Sequence, residues 1–201
     1  MYLAIYGIAL FAGIAMMVRE GLWSNTITLV NIIISGLVAF GFYSPLVIYL
    51  DEQMTDGQHT YWLDFALVWA LYCASILVCR TLTGVASKTR MRFKNPIDPV
   101  GGPIAGVLAA WVFAAFALAT LHMSPMPKDA FSGKLVHDDV DSASFVMSPD
   151  AAWLRFVEKM SGPTALGTPS TGEFTAKDFV KIYGIRREKL EKLTSLIVDR
   201  G

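Results

Sequence analysis

Residues 102–123 read GPIAGVLAAWVFAAFALATLHM, twenty-two positions without one Asp, Glu, Lys or Arg. At 1.5 Å rise per residue such a run crosses the roughly 30 Å hydrocarbon layer of a bilayer. Lipid offers no partner for a backbone N–H, so an apolar run of this length becomes a helix. Three more runs lie upstream. Residues 2–18 carry no charge and end at Arg19-Glu20. Residues 27–50 end at Asp51-Glu52. Residues 62–79 end at Arg80, with Asp64 near their start. The predicted fold is an all-α integral membrane protein. It has four transmembrane helices over residues 1–123 (2–18, 27–50, 62–79 and 102–123) and a charged extramembrane tail over 124–201.

Composition fits that division. Of the 201 residues 54% are hydrophobic and 17% charged, where soluble chains run at about 25% charged. Seventeen basic residues balance seventeen acidic ones, which argues against a nucleic-acid binder. The balance holds separately in both parts, at six of each sign up to residue 123 and eleven of each beyond it. The start of the chain, Met1-Tyr2-Leu3, has no basic segment, so the first run is expected to be a retained helix rather than a cleaved leader. Cys73 and Cys79 lie six apart in one apolar run, on different helix faces, and form no disulfide framework.

Orientation follows from the short loops. Arg19, Arg80, Lys88, Arg90, Arg92 and Lys94 cluster in the loops after the first and third helices, and the loop after the second has no Lys or Arg. Basic loops stay in the cytoplasm. The N-terminus and the tail are therefore expected on the outer, periplasmic side. The basic stretch from Arg80 to Lys94 is expected to meet anionic headgroups.

Small residues at four-residue spacing let membrane helices approach closely. Gly102, Gly106, Ala110 and Ala114 form one such stripe, Ala66, Ala70 and Ala74 another, and Gly13 joins Ala9 in the first helix. They predict a tight four-helix bundle or a packed oligomer. Asn31 and Ser35 lie one turn apart, and either bond a neighbouring helix or line a pore. Asp64 is expected near the interface, in solvent. Asp98 is placed as the cap of the fourth helix, with Pro103 in its first turn.

The tail opens on a Pro/Ser/Asp-rich linker. Ser148-Pro149-Asp150 starts a helix over 149–160, with Trp153, Phe156, Val157 and Met160 on one face. Thr175 to Asp178 resembles a capping box opening a helix over 176–199. Its apolar face is expected to carry Phe179, Ile182, Leu190, Leu193 and Ile197. Two such short helices lie on the membrane, dock on the bundle or bind a partner.

Catalytic signatures are absent. There is no P-loop, GxSxG, HExxH or CxxC, and His59, His122 and His137 are scattered. His137-Asp138-Asp139 is expected to be a solvated turn. No enzyme, cofactor or metal site is expected.

Two segments carry a family likeness. Arg19-Glu20-Gly21-Leu22 follows an apolar helix with an internal glycine. Asp98-Pro99-Val100-Gly101-Gly102-Pro103-Ile104-Ala105-Gly106 puts an acid before spaced glycines at the entry of the last helix. Over about the first 123 residues the chain resembles the colicin V production protein family of bacterial inner-membrane proteins. The resemblance implies an accessory role in toxin production or export and in envelope maintenance. Three roles compete on the residues alone: an accessory or scaffold protein with a like copy or another membrane protein as partner, a channel or transporter subunit, and a membrane enzyme with a dispersed site.

Overall fold

A computed structural model describes residues 2–17, 20–53, 60–87, 97–126, 148–162 and 174–192. These contain six helices and no strand: α1 (Tyr2–Met17), α2 (Leu22–Gln53), α3 (Thr60–Ala86), α4 (Ile97–Leu121), α5 (Pro149–Ser161) and α6 (Ala176–Lys192). Three are long and apolar enough to cross a membrane, over Leu22–Leu50, Trp62–Ala86 and Ile97–Leu121. The shortest of these, 25 residues, measures about 37 Å. The 16-residue α1 measures about 24 Å, short of the hydrocarbon thickness, so the length criterion counts three spans where the apolar runs predict four.

The long helices outrun the apolar segments, and the hydroxyls near their ends bond back to their own backbone within the turn. Thr26 Oγ1 donates to the Leu22 carbonyl at 2.8 Å and Thr28 Oγ1 to that of Ser24 at 2.9 Å, and α2 starts five residues upstream of Ile27. Thr81 Oγ1 donates to Leu77 O and Thr83 Oγ1 to Cys79 O, both at 2.8 Å, and α3 continues to Ala86. Arg80 therefore sits on a helix, exposed, and not in a loop.

The four N-terminal helices stand side by side in the order α1, α4, α2, α3. α1 packs on α4 and α3 on α2, so the four helices form a row. A tail helix completes the core. The N-terminal half of α5 is buried against α4 and α2: Pro149, Asp150, Ala151, Ala152, Trp153 and Leu154, with Val157 one turn further on. Its indole meets Phe116 edge-on at 5.6 Å and Phe40 at 6.2 Å, while Phe116 stacks on Tyr72 at 4.3 Å. Offset and edge-on aromatic pairs of this kind contribute about 0.5–1.5 kcal/mol each beyond area burial.

α6 closes the end. Its buried face is Ala176, Phe179, Val180, Tyr183 and Arg187 at helical spacing. The expected face differs: Ile182 is 49% exposed, and Leu193 and Ile197 lie outside the described residues. The tail helices thus dock on the row. α5 does so more deeply than surface amphipathicity suggests, because its small residues Ala151 and Ala152 let it seat closely.

Candidate functional site

Two polar clusters hold the molecule together, one at each end of the row. The first is at the starts of α2 and α4. Asp98 lies in the first turn of α4, and its Oδ1 accepts the Leu22 N–H at 2.9 Å. It caps α2 across the chain and not its own helix, which begins one residue earlier at Ile97; Pro103 is already in the second turn. Asn25 Nδ2 donates to the carbonyls of Gly102 at 2.8 Å, Met17 at 3.0 Å and Glu20 at 3.3 Å. One buried amide therefore ties the end of α1, the turn after it and the entry of α4.

The glycines of α4 are spaced for this contact. A β-carbon on Gly102 would stand 3.0 Å from the Glu20 carbonyl. One on Gly106 would stand 3.0 Å from the Asn25 amide and 3.3 Å from Met17. Further along, one on Gly13 would stand 2.7 Å from the Ala110 methyl. α1 therefore runs antiparallel to α4 at backbone distance. The segments 20–22 and 98–106, far apart in sequence, are one surface and its counterpart. The colicin V production protein family model matches residues 3–146, which includes both segments. The chain belongs to that family. It is a multi-pass membrane protein of the colicin V production family, and no curated protein and no solved structure matches it.

The second cluster is at the opposite end, where the tail docks. Asp64, five residues into α3, is 2% exposed. Its Oδ2 accepts the Tyr183 hydroxyl at 2.7 Å and is ion-paired with Arg186 Nη1. The Arg186 guanidinium also lies 5.0 Å over the Tyr183 ring. The Tyr43 hydroxyl of α2 is hydrogen-bonded to Tyr183. Burial pushes the Tyr183 phenol well above its ordinary value, and the neighbouring Tyr43 and Asp64 add to the rise. It is a protonated donor at any physiological pH. Beside it, His122 Nε2 and Asp150 Oδ2 stand 3.1 Å apart, both about 1% exposed. A buried charge is tolerated only when paired and hydrogen-bonded. Asp64 and Asp150 are both held in that way, the first by α6 and the second by the end of α4. Asp64 is thus buried under the tail and not solvated at an interface. Ser148 precedes α5 without a side-chain cap.

The remaining predicted positions divide. Gly13, Gly102, Gly106, Ala110 and Ala114 are buried in helix contacts. Ala66, Ala70 and Ala74 are exposed, because α3 turns Asp64, Val68 and Tyr72 inward instead. Asn31 is buried and donates to Thr83 Oγ1 of α3 at 3.1 Å. Ser35 is fully buried with no hydrogen-bond partner among the described residues. Lys88, Arg90, Arg92, Lys94 and the segment His137-Asp138-Asp139 lie outside the described residues. Among the described residues no group of three potential metal ligands occurs.

Sequence reasoning missed Asn25, the cross-chain role of Asp98, and the Asp64, Tyr183 and Arg186 cluster. A carboxylate inside an apolar run was the available signal for the last. Its partners are 119 and 122 positions away, and no local pattern marks them.

Proposed function

We propose that the protein is a non-enzymatic accessory protein of the bacterial cytoplasmic membrane that works by assembling with other membrane chains. In this reading it crosses the membrane four times, with the N-terminus and the tail on the periplasmic side. The family's role in toxin production or export and in envelope maintenance then falls to the assembly. Support for the fourth crossing comes from α1, which lies antiparallel along α4 through Gly13 and Ala110. Support for the orientation comes from the basic residues between α3 and α4 in the sequence, Lys88, Arg90, Arg92 and Lys94.

The observation that carries the reading is the outward face of α3. Ala66, Ala70 and Ala74 are exposed there with Cys73 among them, a small-residue stripe that no described residue of this chain covers. Close helix pairing in lipid needs such a surface. The native thiol supplies the test. Oxidative cross-linking in membranes, in a Cys79→Ser background, should give a Cys73-linked dimer or a fixed hetero-adduct. Cys73→Ser should abolish the product and Ala70→Trp should weaken it. No adduct with the native stripe, and none altered by Ala70→Trp, would remove this face from the assembly.

A channel or transporter subunit is the second reading, motivated by Ser35, a hydroxyl buried at 0% in α2 one turn from Asn31 and without a partner among the described residues. Ion flux in liposomes decides it. Flux that Asn31→Leu leaves unchanged argues against that reading.

A further inference from the structure

α6 meets the row with one face only, and its bonds fix its depth. Tyr183 and Arg186 hold Asp64, two residues into the Trp62–Ala86 span of α3. Tyr183 is also hydrogen-bonded to Tyr43, seven residues short of Leu50, where the α2 span ends. At 1.5 Å per residue these anchors lie about 3 and 10 Å inside the apolar boundary. Exposed aromatics mark that boundary. Trp62 opens the α3 span at 64% exposure, and Tyr49 stands one residue before Leu50 at 61%. Trp and Tyr collect at the headgroup level of a bilayer. One side chain's reach from both anchors, α6 lies level with the headgroups, a layer about 5–7 Å thick on each side.

Its other surface suits that level. Ile182 and Ile185 are 49% and 46% exposed in an otherwise polar helix. At about 100° per residue the two lie about 60° apart, on the flank next to Arg186, which reaches across to α3. Lys181 and Lys189, both exposed, stand one turn before and one turn after Ile185. Over Ala176–Lys192 six basic residues outnumber three acidic ones. Exposed isoleucines bracketed by lysines are the pattern of a helix lying in the membrane interface. The apolar side chains enter the acyl boundary, and the lysine stems follow them while the ammonium groups stay at the phosphates.

We propose that the flank of α6 around Ile182 and Ile185 rests in an anionic lipid surface while the opposite face stays docked on the row. The tail is then held twice, by Asp64 and by the bilayer. Lys181 and Lys189 make the second hold depend on lipid charge.

The test uses the full chain in lipid nanodiscs, in a Cys73→Ser, Cys79→Ser background. A fluorophore is attached at Ile182→Cys or, about 140° round the helix, at Lys177→Cys. Phospholipids carrying a nitroxide on the acyl chain should quench the probe at 182 and spare the one at 177. Aqueous iodide should do the reverse. Replacing phosphatidylcholine by phosphatidylglycerol should deepen the lipid quenching at 182, and Lys181→Glu with Lys189→Glu should cancel that gain. Iodide quenching at 182 equal to that at 177 overturns the proposal. So does a probe at 182 shielded from both quenchers, which assigns the flank to a second copy or another protein. Lipid quenching indifferent to phosphatidylglycerol overturns the anionic preference.

Discussion

The Trp153 indole of α5 lies against the backbone of Gly36 in α2, where an added β-carbon would come within 2.5 Å of the ring. No other residue type fits there without displacing the indole. Gly36→Ala should force the indole out of its contact with Phe116 and Phe40 and destabilise the docked tail by about 1–3 kcal/mol, the usual cost of overpacking. Chemical unfolding in detergent, followed by tryptophan fluorescence, measures it. Unchanged stability with an unchanged spectrum would show that α5 does not seat on Gly36.

Asp64 connects a membrane-span helix to α6. Asp64→Asn keeps an acceptor for Tyr183 but removes the charge that holds Arg186. A loss of roughly 1–3 kcal/mol is expected, below the figure for a fully buried pair because Arg186 is partly exposed. A cysteine placed at Val180, buried in the docked state, should become faster to label. Asp64→Asn combined with Arg186→Gln should cost little more than the single change, since the two act through one contact. Strictly additive losses would speak against the pair.

Asn25 satisfies three carbonyls with one amide. Asn25→Ala should cost about 1–3 kcal/mol, because it removes the one buried side chain that bonds the end of α1, the turn after it and the entry of α4 together. Asn25→Asp should cost more, since it turns a carboxylate toward those same carbonyl oxygens. Asp98→Ala removes only the cap of α2 and should cost about 1 kcal/mol. Thermal unfolding of the three variants should give that order.

Tyr183 sets the alkaline limit of tail docking. Its folded value lies above the ordinary phenol value near 10. The proton is therefore bound more tightly in the docked state, and the contribution is complete below pH 10. It declines as pH rises above 10, where the undocked phenol ionises first. Labelling at position 180 should be flat from pH 7 to about pH 9 and rise beyond about pH 10. Tyr183→Phe should remove that rise. A rise that survives the substitution would place the alkaline limit elsewhere.

The apolar runs were legible because the solvent imposes them. A helix must be apolar wherever lipid touches it, so all four N-terminal helices appear in the sequence within a few residues of their places. Charge position carried the expected orientation for the same reason. Gly102, Gly106, Ala110 and Ala114 were also readable, since close approach demands small side chains at a fixed spacing. The α3 stripe shows the limit of that signal. Ala66, Ala70 and Ala74 have the same spacing and face outward, because spacing says that a face is flat and not which neighbour covers it.

By itself, then, the sequence determined the helical class, the membrane as solvent, the family likeness of segments 19–22 and 98–106, and the division between spans and tail. These are properties of local composition and period. Only the tertiary structure decided that the helices form a row, that those two segments meet through Asn25 and Asp98, and that α5 enters the core at Gly36. It also decided that the charged tail supplies the partners of Asp64. The contacts of Asn25 with Gly102, Asp98 with Leu22 and Asp64 with the tail join residues 76 to 122 positions apart, and a pairing at that separation leaves no periodic trace in either segment.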